Sequence, residues 1–384
     1  MINRRKIVLG AVLLVLLTFL GTAAAFLYAL NVPAEGVAST LKFLRALQIV
    51  RSQYVESVPM ETLMNGAIKG MVQSLNDPHS IYMDAKMFRE FMIETEGSFG
   101  GVGIVLGVKD KILTVVAPIE GTPGEKAGIK SGDQIVKING QETKDMALDE
   151  AVTKIRGPEG TQVTLTIRRG QELKDYTLTR ANIQIKTVSG RLEPDGIAYI
   201  RISMFNENTG ADFIKKYQEL EAQGMRGIVL DLRDNPGGLL EESVKVAGKL
   251  VPKGPVVSIV TRDGERKTHM SSLEAVKYPL AVLVNGGSAS AAEIVAGAVQ
   301  DTGAGTLVGT KTFGKGSVQT VIRLDGSTAI KLTIAKYLTP KDRAINGVGL
   351  EPDVKVENPE PAPGAAVKDL QLEKAMEIVR SKLK

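Results

Sequence analysis

The chain contains no cysteine and no tryptophan in 384 residues, only two histidines, and 4% aromatic residues. The lack of cysteine excludes disulfides and thiolate metal sites even in an oxidising compartment. Scarce histidine leaves little choice of an imidazole base: His79 follows Asp77-Pro78 in a turn, and His269 lies in the polar stretch 261–272, contexts that read as structural or solvent-facing. A net charge of +5 is modest, and without a basic-aromatic patch it points to attraction for anionic lipid headgroups at most, with no nucleic-acid partner. There is no strong internal repeat and no long low-complexity tract. One long apolar run is present. Arg4, Arg5 and Lys6 precede residues 7–30, which are uncharged, and a run of this length predicts a transmembrane anchor with its basic end in the cytoplasm. Ala23-Ala24-Ala25 offers a cleavage site instead; by either route the remainder of the chain is expected outside the cytoplasm, anchored in the cell membrane or, if cleaved, secreted.

Chemistry is concentrated in the C-terminal third. An apolar run at 280–284 leads into Asn285-Gly286-Gly287-Ser288-Ala289-Ser290-Ala291-Ala292-Glu293 and an Ala-rich helical pattern, so a serine sits where a strand turns sharply into a helix. Such a turn presents a hydroxyl to a cleft and aims free helix N-terminal amides at whatever the hydroxyl attacks. Serine needs a base, and lysine replaces histidine once burial disfavours its charged form. Lys315, between Gly314 and Gly316 and close to Phe313 and Val318, meets that demand.

The segments Gly287-Ser288-Ala289-Ser290-Ala291-Ala292-Glu293 and Gly314-Lys315-Gly316-Ser317-Val318-Gln319 resemble the two catalytic segments of the C-terminal processing (tail-specific) peptidases, which are Ser-Lys serine peptidases. The resemblance implies Ser290 as nucleophile, Lys315 as general base and Gln319 as the residue that orients the lysine. Ser288 stands as the alternative nucleophile, since alternating serines let the register slip, and Ala292 occupies a place where the family often has another serine. Asp301 is carried over as an accessory member, although eleven helical residues put it roughly 16 Å from Ser290. Leu230-Asp231-Leu232-Arg233-Asp234-Asn235-Pro236-Gly237-Gly238 matches another family signature, whose glycine turn implies an oxyanion hole from Gly237 or Gly238 together with Ala291. Tyr337-Leu338-Thr339-Pro340 and residues 347–353 follow the family's closing pattern.

A second module lies upstream. Gly100-Gly101-Val102-Gly103-Ile104, then Pro123-Gly124 through Gly128-Ile129, then Gly132-Asp133-Gln134-Ile135-Val136, with a helical pattern at 147–156 before a strand at 162–168, resembles a nearly whole PDZ domain. The resemblance implies that residues 100–104 bind the carboxylate of a peptide, with an apolar last residue, as the peptide adds beside the module. Arg156 at the end of that helical pattern is either a link to the rest of the chain or a helix-end cation that complements the dipole.

The expected organisation is a cytoplasmic stub and anchor at 1–36, a helical region at 37–92, the mostly-β PDZ domain at 93–182, a peptidase core at 183–357, and a Pro-rich linker with a C-terminal helix at 358–384. Strand-like runs at 197–202, 227–231, 256–260, 280–284 and 306–309 alternate with helical ones at 210–222, 240–250 and 290–300, which predicts a largely parallel sheet with its site at the strands' carboxyl ends. The resemblance sharpens this to an α/β crotonase-like peptidase core carrying an inserted PDZ domain. The apolar stripes at 40–92 and the amphipathic segment at 367–383 are candidate contacts for a homodimer. The implied function is an extracytoplasmic serine endopeptidase acting on proteins with exposed, free C-terminal tails, with no metal and no cofactor. Two other classes share parts of the pattern: an inactive PDZ adaptor, which binds without turnover, and a crotonase-type acyl-CoA enzyme.

Overall fold

The structure, a computed structural model, describes residues 10–15, 17, 18, 21, 22, 34–109, 111–359 and 368–383. It falls into two compact units, residues 1–76 and 77–384. The first holds α1 (Ala34–Gln53) and α2 (Met60–Gln73), the latter starting directly after Pro59, whose missing amide and fixed φ suit a helix start. Leu41, Leu44, Ile49 and Val50 of α1 and Met60, Met64 and Met71 of α2 are exposed.

The expected transmembrane anchor requires correction. Among the described residues no helix is long and apolar enough to cross a membrane. Most of the 7–30 run lies outside the described residues.

In the second unit, β1 (Ile81–Met83) is followed by α3 (Ala85–Glu96), whose N-cap Asp84 accepts from the amides of Lys86 and Met87 and whose C-cap Gly97 is left-handed at φ 67°. β2 (Ser98–Gly101) then leads into a β-rich module of β3 (Ile104–Lys109), β4 (Ile112–Pro118), the one-turn α4 (Pro123–Lys126), β5 (Gln134–Ile138), β6 (Gln141–Glu142), α5 (Leu148–Ile155), β7 (Gln162–Arg169) and β8 (Glu172–Thr179). Its sheet runs β3-β4-β5-β7-β8, and alternate residues of β7 (Val163, Leu165, Ile167) are buried in one core with Ile135, Ala151 and Ile155. The chain returns along β9 (Ala181–Gln184), antiparallel to β2, so a two-stranded ribbon joins this module to the rest of the unit.

The remainder comprises β10 (Val188–Leu192), β11 (Ile197–Ile202), α6 (Thr209–Ala222), β12 (Gly227–Asp231), α7 (Leu240–Ala247), β13 (Gly254–Thr261), β14 (Arg266–Ser271), β15 (Leu280–Val284), α8 (Ala291–Thr302), β16 (Thr306–Gly309), β17 (Ser317–Arg323), β18 (Ala329–Leu338), β19 (Val354–Lys355) and α9 (Leu370–Ser381). The central sheet has the order β10-β11-β12-β15-β16-β19, parallel except for β10. Both faces are covered, which is why its strands read as unbroken apolar runs. Ile200, Leu230 and Val282 pack with residues of α6, α7 and α8; Val229, Ala281 and Leu283 pack with Ala375, Met376 and Val379 of α9. The apolar face of the C-terminal helix, read as a contact for a second copy, is therefore occupied by its own sheet.

A second difference concerns residues 256–260. They do not join the parallel sheet but lie in β13, within a separate antiparallel sheet of order β1-β18-β13-β14 in which β17 also pairs with β18. The tight connection at 262–265 folds β14 back on β13, and that hairpin pairing takes one edge of β13 while β18 takes the other.

Candidate active site

Three parallel strands discharge their carboxyl ends at one place. β12 runs into Asn235-Pro236-Gly237-Gly238, β15 into the turn at 285–290, and β16 into the loop that carries Lys315. Two asparagines clip these turns together. Asn285 Oδ1 accepts from the amides of Asp234 (2.9 Å) and Gly287 (3.0 Å), and its Nδ2 donates to Asp234 Oδ1 at 2.9 Å. Asn235, fully buried, donates to the Ile202 carbonyl at 2.8 Å and accepts from Gly237 N at 2.8 Å, while its own carbonyl accepts from Ala289 N at 2.9 Å.

Ser290 lies at the junction of turn and helix with φ 53° and ψ −114°, a backbone region that costs a non-glycine residue about 1–3 kcal/mol. Such strain persists because the surroundings over-determine it. Its amide donates to Glu293 Oε2 at 2.9 Å, and its carbonyl accepts from the Tyr337 hydroxyl at 3.1 Å. Ser290 keeps part of its surface open. Ser288 differs: it is fully buried, its Oγ donates to the Leu232 carbonyl at 2.8 Å and accepts from Asn285 N at 2.9 Å, so its hydroxyl is committed to holding the turn.

Glu293 is the hub that sequence reasoning missed. Its carboxylate is fully buried and, besides the Ser290 amide, accepts from the Lys315 amide (2.9 Å), the Gly314 amide (2.8 Å) and the Thr312 hydroxyl (2.6 Å). One side chain thus fixes the serine-bearing and the lysine-bearing loops against each other. A signal for it existed, because Ser290 and Glu293 have the Ser-x-x-Glu spacing of a capping box. Tyr337 belongs to the closing pattern 337–340, but nothing in the sequence tied its hydroxyl to Ser290, 47 residues away.

Lys315 is half-buried, and burial, followed by the like charge of Lys331, holds its ammonium below the ordinary lysine value against the opposing pull of Asp77 and Glu293. Among the described residues no hydrogen bond joins its ammonium to Ser290. Gln319 is also engaged elsewhere: its Nε2 donates to Ser317 Oγ at 2.9 Å and Thr333 Oγ1 at 3.2 Å. His79 stands nearer to this chemistry than its turn context suggested, since burial and then the Lys315 charge hold it below the ordinary histidine value.

The glycine turn abuts the serine. A Cβ on Gly237 (φ 102°) would lie 2.7 Å from Ser290 Cβ and 3.0 Å from Ala291 N. The Gly237 amide is already donated to Asn235, whereas the amide of Gly238 has no acceptor among the described residues, and that of Ala291 is a first-turn helix amide. Asp301, at the far end of α8, pairs with Arg343 and accepts from Lys341 N at 2.9 Å; it holds the loop after β18 and lies apart from Ser290.

In the β-rich module, Gly103 is left-handed at φ 70°, with its carbonyl accepting from Ile119 N at 2.8 Å and the Val102 carbonyl accepting from Gly124 N at 2.7 Å. Gly100 packs so tightly that a Cβ would come within 2.0 Å of the Gly157 carbonyl oxygen, and Gly101 ends the ribbon strand that leads into Ile104. The amides of Val102 and Gly103 are buried and have no acceptor among the described residues. Buried orphan amides are rare, and a pair of them is what a carboxylate binds. Arg156 ends α5 with its guanidinium 4.4 Å from the centroid of Phe99 on β2, where it also feels the charge of Glu90.

Comparisons with known proteins agree with this arrangement. Residues 196–356 match the family model for peptidase family S41, residues 114–169 that for a PDZ domain, and residues 30–87 that for the activating protease CtpB N-terminal domain. A carboxy-terminal-processing protease of Bartonella bacilliformis is 43% identical over 324 residues, which cover 81% of this chain and 74% of that one. The carboxy-terminal processing protease CtpB of Bacillus subtilis is 38% identical over 326 residues, covering 83% and 68%. The fold is that of a putative S41 protease from Bacteroides fragilis, at 15% identity and a TM-score of 0.51 over 88% of this chain and 97% of that one.

Proposed function

The chain belongs to peptidase family S41, and on that premise we propose that Ser290 is its nucleophile and Lys315 its general base. It is a C-terminal processing serine protease with a PDZ domain. In the proposed mechanism neutral Lys315 takes the Ser290 proton as Oγ bonds to the carbonyl carbon of the scissile peptide. The resulting oxyanion is met by the amides of Gly238 and Ala291, the C–N bond breaks, and Lys315 returns the proton to the departing amine. Water, deprotonated in turn by Lys315, then hydrolyses the acyl-enzyme and restores Ser290.

The observation that carries this reading is the shared carboxylate of Glu293, which ties the Ser290 and Lys315 amides into one unit. Because the two reacting side chains are not hydrogen-bonded, substrate engagement must bring Lys315 onto Ser290, and Gln319 would exchange Ser317 and Thr333 for the lysine in that step. Incubating the protein with an unstructured protein that ends in an apolar, free C-terminus, followed by mass spectrometry, tests the assignment. Ser290→Ala and Lys315→Ala are each expected to abolish cleavage while melting like the parent; full activity in either purified variant refutes it.

Tail selection is assigned to the orphan amides of Val102 and Gly103, which suit a terminal carboxylate, with Gly100, Gly101 and Ile104 shaping the loop. The exposed apolar side chains of α1 and α2 support pairing with a second copy of this chain, and sedimentation as a monomer at all concentrations would dismiss it. The basic residues at 4–6 ahead of an apolar run support export, so the enzyme is proposed to act outside the cytoplasm; finding its activity in the cytoplasmic fraction would contradict this.

A further inference from the structure

We propose that the free edge of β17 binds the substrate chain, whose residues before the scissile bond add there as an antiparallel strand. The proposal rests on the reading of Ser290 and Lys315 as the reacting pair. Register decides which backbone groups are free. At one end of the hairpin the Gly316 carbonyl accepts from Tyr337 N at 3.0 Å, and at the other Leu324 N donates to the Thr328 carbonyl at 3.0 Å. Between them β17 pairs with β18 residue by residue, and the one irregularity, at Val318 and Gln319, leaves Ile334 of β18 unopposed and skips nothing on β17. Backbone groups of an antiparallel strand alternate in direction. Gly316, Val318, Thr320, Ile322 and Leu324 therefore turn theirs to β18, while Ser317, Gln319, Val321 and Arg323 turn theirs away. Thr333 agrees with this phase: it lies opposite Gln319 and turns its amide from β17 to the far edge of β18, where it donates to Ser80 Oγ at 3.0 Å.

Among the described residues β17 pairs with no strand besides β18, and the amides and carbonyls of Ser317, Gln319, Val321 and Arg323 have no partner. Natural sheets blunt such an edge with proline, charge, a bulge or a covering element. Residues 317–323 contain no proline and a single charge, Arg323, at the end away from Lys315. Ser317 is only 7% exposed, and unpaired backbone groups on a buried residue call for a partner. The row also starts at the reacting pair. Ser317 stands two residues beyond Lys315, and the amides of Lys315 and Ser290 both donate to Glu293 Oε2 at 2.9 Å, so they lie within twice that distance of each other. A strand antiparallel to β17 has its C-terminal end where β17 begins. Residues before the scissile bond then run from Ser290 toward Arg323, and those after it stay free for the module assigned to the tail. A second copy of the chain would need only an open edge; the start of this one beside Lys315 commits it to the substrate. Pairing through the main chain carries no side-chain preference, which suits a protease whose selection is assigned to the end of the chain.

The test uses the full chain and synthetic peptides with an apolar, free C-terminus. The bond cleaved in the unmodified peptide is located by mass spectrometry, and a series of peptides then carries one N-methyl group at successive positions before it. Only alternate residues of an added strand direct their amides to β17, so kcat/KM is expected to fall about tenfold at every second position and to stay within about twofold at those between. Val321→Pro removes an outward amide without breaking the ladder to β18; it is expected to melt near the parent and to lose about tenfold in kcat/KM on the unmodified peptide. Equal losses at successive positions, no loss at any of them, or an alternation found only after the bond overturns the proposal, as does full kcat/KM in folded Val321→Pro. A dimer of the parent that dissociates in Val321→Pro also overturns it, by giving the edge to a second copy. If Val321→Pro does not fold, the peptide series decides alone. Cleavage of the unmodified peptide by Ser290→Ala would instead overturn the reading of the reacting pair on which the proposal stands.

Discussion

At the scale of single residues, the site is organised by a side chain that performs no bond chemistry. Glu293 accepts four hydrogen bonds from two loops while fully buried, three of them from backbone amides, which can only donate. Glu293→Gln preserves size but turns an NH2 toward an N–H or hydroxyl donor, so one amide or the Thr312 hydroxyl loses its acceptor. The expected result is a destabilisation of about 1–3 kcal/mol by denaturant titration. A fall in kcat of about a hundredfold should accompany it, since small displacements between reacting groups carry penalties of that order. Unchanged kcat in a folded Glu293→Gln protein would show that the two loops keep their relation without the carboxylate. Ser288 illustrates the reverse case: a serine in the same motif whose hydroxyl is consumed by the Leu232 carbonyl and the Asn285 amide.

At the scale of elements, what matters is how closely the turn after β12 approaches the start of α8. Gly237 has φ 102°, and any Cβ there meets Ser290 Cβ at 2.7 Å and the Ala289 carbonyl oxygen at 2.8 Å. Gly224, at φ 93°, has the same backbone restriction but open space around it. Gly224→Ala is therefore expected to cost about 1 kcal/mol in stability with activity intact, whereas Gly237→Ala should lose the activity as well. Equal activity in the two variants would mean that the turn does not brace Ser290. Most of these elements were legible in the chain, because sheet strands covered on both faces leave continuous apolar runs: β11, β12, β15 and β16 match the expected runs at 197–202, 227–231, 280–284 and 306–309. The partner of a strand was not legible. Residues 256–260 have the composition of a central strand, yet their pairing in β13 is decided by a hairpin and by β18, more than sixty residues later in the chain. Likewise the neighbours of Lys315 come from Asp77, His79 and Lys331, which local spacing cannot bring together.

At the scale of the whole molecule, the PDZ module is inserted through the β2–β9 ribbon, and α3 meets α5 through an exposed Lys86–Asp149 pair at 2.6 Å. An exposed pair of this kind contributes little to stability, so the ribbon is the principal tether and binding at the module can be separated from chemistry at the core. The separating substitution is Gly103→Ala. At φ 70° its Cβ would meet Thr122 at 2.2 Å, which must displace the loop that carries the orphan amides of Val102 and Gly103 while leaving Ser290 and Lys315 untouched. Losing charge-assisted hydrogen bonds worth about 2 kcal/mol should raise KM for a free-tailed protein by at least about tenfold. The kcat should hold. For the same protein with an amidated C-terminus, the parent enzyme should already show the higher KM, and Gly103→Ala should change nothing further. If the parent cleaves free and amidated tails equally well, the module does not read the carboxylate. If Gly103→Ala lowers kcat on both substrates alike, the loop serves the core directly and the two functions are not separable.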